Sequence, residues 1–150
     1  MKKYLIITVI TVYALLSSCA TAPLATIHDD TVAKLFKPTK GKSNIYLYSS
    51  HCGSITFDRG IILVTIDDTI IRKNSLKTYL KLTVEPGKHV ITSRMEFGKI
   101  RTLEIETEKN KNYFISQNFN TGLGFPWVEM NEVFQSKGIK KVRECKLAKT

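Results

Sequence analysis

The 150-residue chain lacks an apolar run of the ~20 residues that a helix needs to cross a bilayer, so no permanent membrane-spanning helix is expected. It lacks a second ligand pair at zinc-like spacing beside His51-Cys52, a glycine-rich phosphate loop and a Gly-x-Ser-x-Gly turn. Those gaps remove the usual sequence marks of a metal centre, a nucleotidase and a serine hydrolase. Acids are scarce, with 13 Asp and Glu against 23 Lys and Arg, for a formal net charge of +10. The two acidic pairs, Asp29-Asp30 and Asp67-Asp68, are sequence neighbours that point apart in extended chain, so neither is a two-carboxylate acid/base machine. Cations cluster only at 34–42 and 137–149, with no arginine-rich stripe, helix-turn-helix or aromatic nucleic-acid motif, so no nucleic-acid partner is expected. The three histidines, His28, His51 and His89, lie far apart. A thiol nucleophile at Cys52 needs a base and an orienting group, and His89 is explained more simply as a residue entering a strand after a turn. No catalytic residue, metal or cofactor is expected, and the chain reads as a non-enzyme.

What is present begins at the N-terminus. Lys2 and Lys3 precede an apolar run, Tyr4 to Leu16, broken only by Thr8 and Thr11, and small residues Ser17 and Ser18 lead into Cys19. Charged start, apolar middle and small-residue end form the layout of an export leader. A buried helix would need a polar face, which two threonines do not supply. Leu16-Ser17-Ser18-Cys19 resembles the lipobox of bacterial lipoproteins. That resemblance implies a leader over residues 1–18, cut before Cys19, with Cys19 acylated as the first mature residue. Two or more acyl chains anchor a protein stably where one does not. Ala20 after the cysteine implies the outer membrane, facing the periplasm, and loss of Lys2 and Lys3 lowers the net charge by two. Cys52 and Cys145 then form an even remainder in a compartment where disulfides persist, compatible with a bridge or with two independent thiols.

Residues 19–40 hold Pro23, Pro38 and few large apolar side chains, and read as a flexible tether with a brief helical turn at 31–36. Residues 41–150 read as β structure. Alternation at 44–48, an apolar run at 61–66 before the Asp67-Asp68 turn, and Leu80, Leu82 and Val84 on one face of 77–84 each mark a strand. Glu85-Pro86-Gly87-Lys88 suits a tight turn with positive φ at glycine, and strands follow at 89–95, 100–107, 113–117 and 139–147. No long helical period is evident after residue 40. Close, regular turn spacing predicts an all-β fold, an antiparallel β-sandwich of seven to eight strands.

The run "LKLTVEPGKHVITS" resembles the PEGA-type β-sandwich. "SNIYLY", "VEPGKH", "NKNYFI" and "VRECKLA", in this order, resemble a domain-of-unknown-function family of small bacterial lipoproteins across residues 33–148. The family's glycine before the "NYFI" strand is replaced at Asn110-Lys111-Asn112, where asparagine tolerates positive φ. Ser49-Ser50-His51-Cys52 stands where the family often has an arginine. The resemblance implies fold and envelope location, and no activity.

One stretch stands out as a functional candidate. Asn118–Met130 sets Phe119, Leu123, Phe125 and the single tryptophan, Trp127, around two glycines and a proline. Such residues dominate contact hot spots, and they also plug open sandwich ends. The expectation is therefore a lipid-anchored envelope protein whose sandwich docks on another envelope protein, with membrane contact through the N-terminal lipid. The alternative is a periplasmic binding protein for a small apolar or anionic ligand.

Overall fold

β-branched and aromatic residues dominate the strands, and their alternation creates two faces per strand, each of which must be covered. The computed structural model describes residues 22–54, 60–95, 98–120 and 126–149. The expected leader over residues 1–18 and Cys19 lie outside these. The described strands are β1 (Ser43–Ser49), β2 (Ile61–Ile66), β3 (Ile70–Ser75), β4 (Thr78–Val84), β5 (Gly87–Met95), β6 (Arg101–Thr107), β7 (Asn112–Asn120), β8 (Trp127–Val133) and β9 (Lys146–Leu147). Two short helices accompany them, α1 (Ile27–Ala33) and α2 (Gln135–Glu144).

The strands form a five-stranded sheet in the order β8-β7-β1-β4-β9 and a four-stranded sheet in the order β3-β2-β5-β6. The expected all-β sandwich is therefore present. It is mixed rather than purely antiparallel, because β1 pairs in parallel with β7 and β4 in parallel with β9. Between the sheets lies an aliphatic core that includes Ile45, Leu47, Leu80 and Ile115 from one side and Ile62, Val64, Ile66 and Ile91 from the other. Full burial of each such side chain contributes roughly 1.5–3 kcal/mol.

A second core lies on the outer face of the five-stranded sheet. Tyr46, Tyr48, Tyr79 and Phe114 are buried there with Ala33 and Val142 of the two helices. Tyr46 stacks on Phe114 at 5.1 Å between ring centroids and donates its hydroxyl to the Ala33 carbonyl oxygen. Burial pushes the Tyr46 hydroxyl up to about 12. All seven residues of β1 are buried, since both of its faces are covered. Alternation in β1 thus marks two cores rather than an inside and an outside.

Two expectations need correction. Residues 139–147 form most of a helix and a two-residue strand instead of one strand: α2 turns Gly138 and Val142 inward four residues apart, and only Lys146 and Leu147 pair with β4. The expected tether over 19–40 is docked from residue 22 onward. Ala22 is in the aliphatic core, Leu24 bridges Ala148, and α1 begins at Ile27, capped by the Thr26 hydroxyl, rather than at residue 31. Asp30 explains the docking. Its Oδ1 accepts from the Tyr79 hydroxyl at 2.9 Å and the Leu147 N–H at 3.0 Å, while Oδ2 pairs with Lys34 Nζ at 2.8 Å. Lys34 Nζ also donates to the Cys145 carbonyl oxygen. Asp30→Ala leaves the buried Tyr79 hydroxyl without this acceptor. The expected cost is about 2 kcal/mol, read from the urea midpoint, together with new trypsin cleavage at Lys34.

Turn chemistry follows the residues. Asp67 and Asp68 have φ 50° and 56°, and Thr69 N–H returns to the Ile66 carbonyl, the geometry of a type I′ turn between β2 and β3. Asn110 takes φ 62°, with its side-chain oxygen accepting from Gly41 N–H at 2.8 Å. Gly87 has φ 141°, but β4 and β5 lie in different sheets, so Glu85-Pro86 is a crossing between layers and not a hairpin turn. His89 clamps that crossing: Nδ1 meets the Asp67 carboxylate at 2.7 Å and Nε2 meets the Glu85 carbonyl oxygen at 2.7 Å.

Hydrogen bonds from His89 and from the Val90 N–H hold the Asp67 carboxyl below its ordinary range. A carboxylate depressed in the folded state stabilises fully above the unfolded value and loses that contribution as pH falls through the folded one. Asp67→Asn is expected to flatten the acid limb of Tm against pH below about pH 4, measured by thermal melts.

Candidate interaction surface

At one end of the sandwich, β1 and β7 finish side by side, with Ser49 paired to Gln117. The loops that leave this end carry most of the residues singled out in the sequence. After β1 the chain turns through Ser50-His51 into Cys52, which is bonded to Cys145 directly after α2, with 5.0 Å between their Cα atoms. Both cysteines are 2% exposed. The bridge ties the β1 exit to the end of α2, and Gly53 fits closely beneath Glu144, whose carboxylate oxygen lies 2.7 Å from where a Cβ would stand.

Just inside this end the core turns polar. Asn74, Ser75, Ser93 and Gln117 are fully buried, and Thr78 is nearly so. The Thr78 hydroxyl donates to Asn74 Oδ1 at 2.6 Å, Asn74 Nδ2 donates to Gln117 Oε1 at 2.6 Å, and Gln117 Nε2 donates to Ser93 Oγ at 3.0 Å. The chain of bonds runs across the gap between the sheets, from β4 to β3, back to β7 and over to β5. Satisfied in this way, it braces the end of the sandwich and sets the relative position of the sheets. Sequence reasoning missed it, although Gln117 shares the inward parity of Tyr113 and Ile115.

The β7–β8 hairpin rises beside this floor. Its partners Phe119 and Val128, then Gln117 and Met130, face the core, whereas Asn120 and Trp127 sit on the opposite face. The structure therefore separates Phe119 from Trp127 instead of gathering one aromatic patch. Phe119 is half-buried, with its ring 6.3 Å from the edge-on ring of His51. Leu123 and Phe125 lie outside the described residues. Trp127 is half-buried at the seam between sheets, where it bridges Lys99 and shares an open groove of about 420 Å³ with Arg101, Thr102, Glu129 and Met130. Gly98 permits the seam, because a Cβ there would stand 2.7 Å from the Pro126 carbonyl oxygen. Glu129 follows Trp127 by two residues on the same face of β8, whereas Arg101 belongs to the other sheet and no spacing in the sequence joins it to them.

Such a groove can take an amphipathic segment: a tryptophan wall for apolar contact, with a cation and a carboxylate to orient polar groups. Cys52 is consumed by the bridge, and His89 is engaged at the other end of the sandwich, so no thiol–base pair forms. Among the described residues no group of three or more His, Cys, Asp or Glu side chains could hold a metal ion.

Residues 39–129 match the family model described as "Protein of unknown function (DUF2846)". A relative from Haemophilus influenzae (strain Rd), described as an uncharacterized protein, is 31% identical over 141 residues, covering 93% of this chain and 82% of the relative.

Proposed function

The chain belongs to the DUF2846 family of unknown function, and from that premise we propose that it is a lipid-anchored cell-envelope protein whose β-sandwich docks on another envelope protein without catalysing a reaction. The anchor is Cys19, acylated after removal of residues 1–18, and the location is the outer membrane facing the periplasm. The leader pattern from Lys2 to Cys19 supports export. The buried Cys52–Cys145 bridge suits an oxidising compartment.

The observation that carries the docking reading is the Trp127 groove, an open, mainly polar seam with Arg101 and Glu129 beside the tryptophan on its walls. Tryptophan and arginine are the residues most enriched at binding hot spots. A photo-crosslinking residue placed at Thr102 or Glu129 in intact cells is expected to form one discrete adduct with an envelope protein. The same probe at exposed Lys88, on another part of the four-stranded sheet, is expected to form none. Equal labelling at all three positions, or none, would sink the docking reading. Mass measurement of the mature N-terminal peptide tests the anchor separately.

A further inference from the structure

Four of the seven exposed large hydrophobic residues among those described fall within twelve positions: Leu24 (50% exposed), Ile27 (88%), Val32 (48%) and Leu35 (57%). Asp30 and Ala33 of α1 face the sheet, while Ile27 and Val32 emerge exposed on its two flanks and the following Leu35 comes round to the far side. Leu24 adjoins this face through the surface it shares with Thr26 and Asp29. Cations border it: Lys149 lines the same surface as Leu24, and exposed Lys37 follows two residues after Leu35.

The position of this face along the chain identifies its occupant. Ala22 is already locked into the core at 2% exposure, its neighbour Pro23 accepting from Lys149 N–H at 2.7 Å. Three residues of chain from Cys19 to Ala22 reach at most about 11 Å. An acylated Cys19 sits at the glycerol level of the leaflet, and the headgroup layer above it is only about 5–7 Å deep. The sandwich therefore has no slack with which to stand away from the bilayer.

We infer that the exposed surface of residues 24–35, with Leu24, Ile27, Val32 and Leu35 around α1, seats in the headgroup region of the membrane that holds the Cys19 lipid, with Lys37 and Lys149 against anionic headgroups. The inference rests on the lipid-anchor reading proposed above. Apolar side chains at the interface and basic residues around them are the two contributions that hold an interfacial helix, and the acyl chains supply the remainder. Docking in this way also orients the molecule. β9 lies at the membrane-side edge of its sheet and β8 at the other, four strand spacings or about 19 Å away, which turns the Trp127 groove outward.

The test uses full-length protein purified from membranes and reconstituted in phosphatidylethanolamine–phosphatidylglycerol vesicles whose acyl chains carry bromine, a contact quencher of tryptophan. Ile27→Trp and, separately, Leu35→Trp are placed in a Trp127→Phe background; both positions are exposed, so the fold should persist, and native Trp127 serves as an unsubstituted control. Tryptophan at 27 or 35 is expected to lose about half or more of its emission, as a side chain at the acyl boundary does, while Trp127 keeps its own. The mass of the N-terminal peptide is read from the same preparation. Acylated Cys19 with neither probe quenched overturns the docked face and leaves the anchor standing. Unmodified Cys19 overturns the anchor and the docked face with it.

Discussion

Removing the Cys52–Cys145 bridge is expected to cost the protein more stability than any single surface change. The two cysteines are 93 positions apart, and in the chain-entropy description closing a loop of that length is worth roughly 4–5 kcal/mol, with 2–5 kcal/mol the usual loss when a native bridge is removed. The bridge also anchors the end of α2, and with it part of the cover over the aromatic core. A Cys52→Ala/Cys145→Ala double variant should melt about 10 °C or more below the parent. Both cysteines are buried, so mild reductant should leave the folded parent intact, whereas reduction in urea followed by thiol blocking should reproduce the double variant. A difference in Tm below about 2 °C would mean that the bridge constrains neither state appreciably.

Gly138→Ala should destabilise, although a helix interior ordinarily gains about 1 kcal/mol from that exchange. Gly138 is buried at the centre of α2, and a Cβ built there overlaps Cβ and Cγ of Phe114. Phe114 is 1% exposed and stacked against Tyr46, so it has no room to yield. The helix must lift from the sheet, a form of overpacking that typically costs 1–3 kcal/mol, offset only in part by the gain in helix propensity. Gly138→Val adds branching to the same collision and should cost ~3 kcal/mol or more, shown by urea unfolding and by slow-exchanging amides lost from α2. A Phe114→Leu background should shrink the penalty, since the colliding ring is gone. Gly138→Ala that raises the urea midpoint would refute the close packing of α2 on β7.

These two effects show where local pattern stops being informative. β1, β2, β4, β5 and β6 are legible because alternating or continuous β-branched and aromatic residues end at Asp67-Asp68, Glu85-Pro86-Gly87 and Asn110. Each of those turns imposes a positive φ that few residues accept. α2 is not legible, since its inward face is a glycine and a valine, and the glycine that fits the helix onto Phe114 looks like a helix breaker in isolation. β3 and β8 are missed for a related reason. β3 mixes Arg72, Lys73 and Asn74 among its residues, and β8 follows a Gly-Phe-Pro stretch that reads as loop. In the candidate site, Trp127 could be singled out by type alone. Its neighbours Arg101 and Glu129 come together only through the closure of one sheet edge on the other.

The sequence by itself determined that this is an all-β chain with an export leader pattern and a lipobox-like Cys19, because hydrophobic alternation, turn residues and an N-terminal apolar run are local properties. Tertiary structure decided the rest. It joined Cys52 to Cys145, turned residues 22–40 from a tether into a docked segment with a helix, ran β1 parallel to β7, and buried both faces of β1. It also separated Phe119 from Trp127. Each of these depends on partners far away in the chain, such as Asp30 reaching Tyr79 and Leu147. Cys19 is the residue for which the two views meet: the leader pattern carries the anchor role proposed for it, and three residues of chain join it to Ala22, which is held in the core.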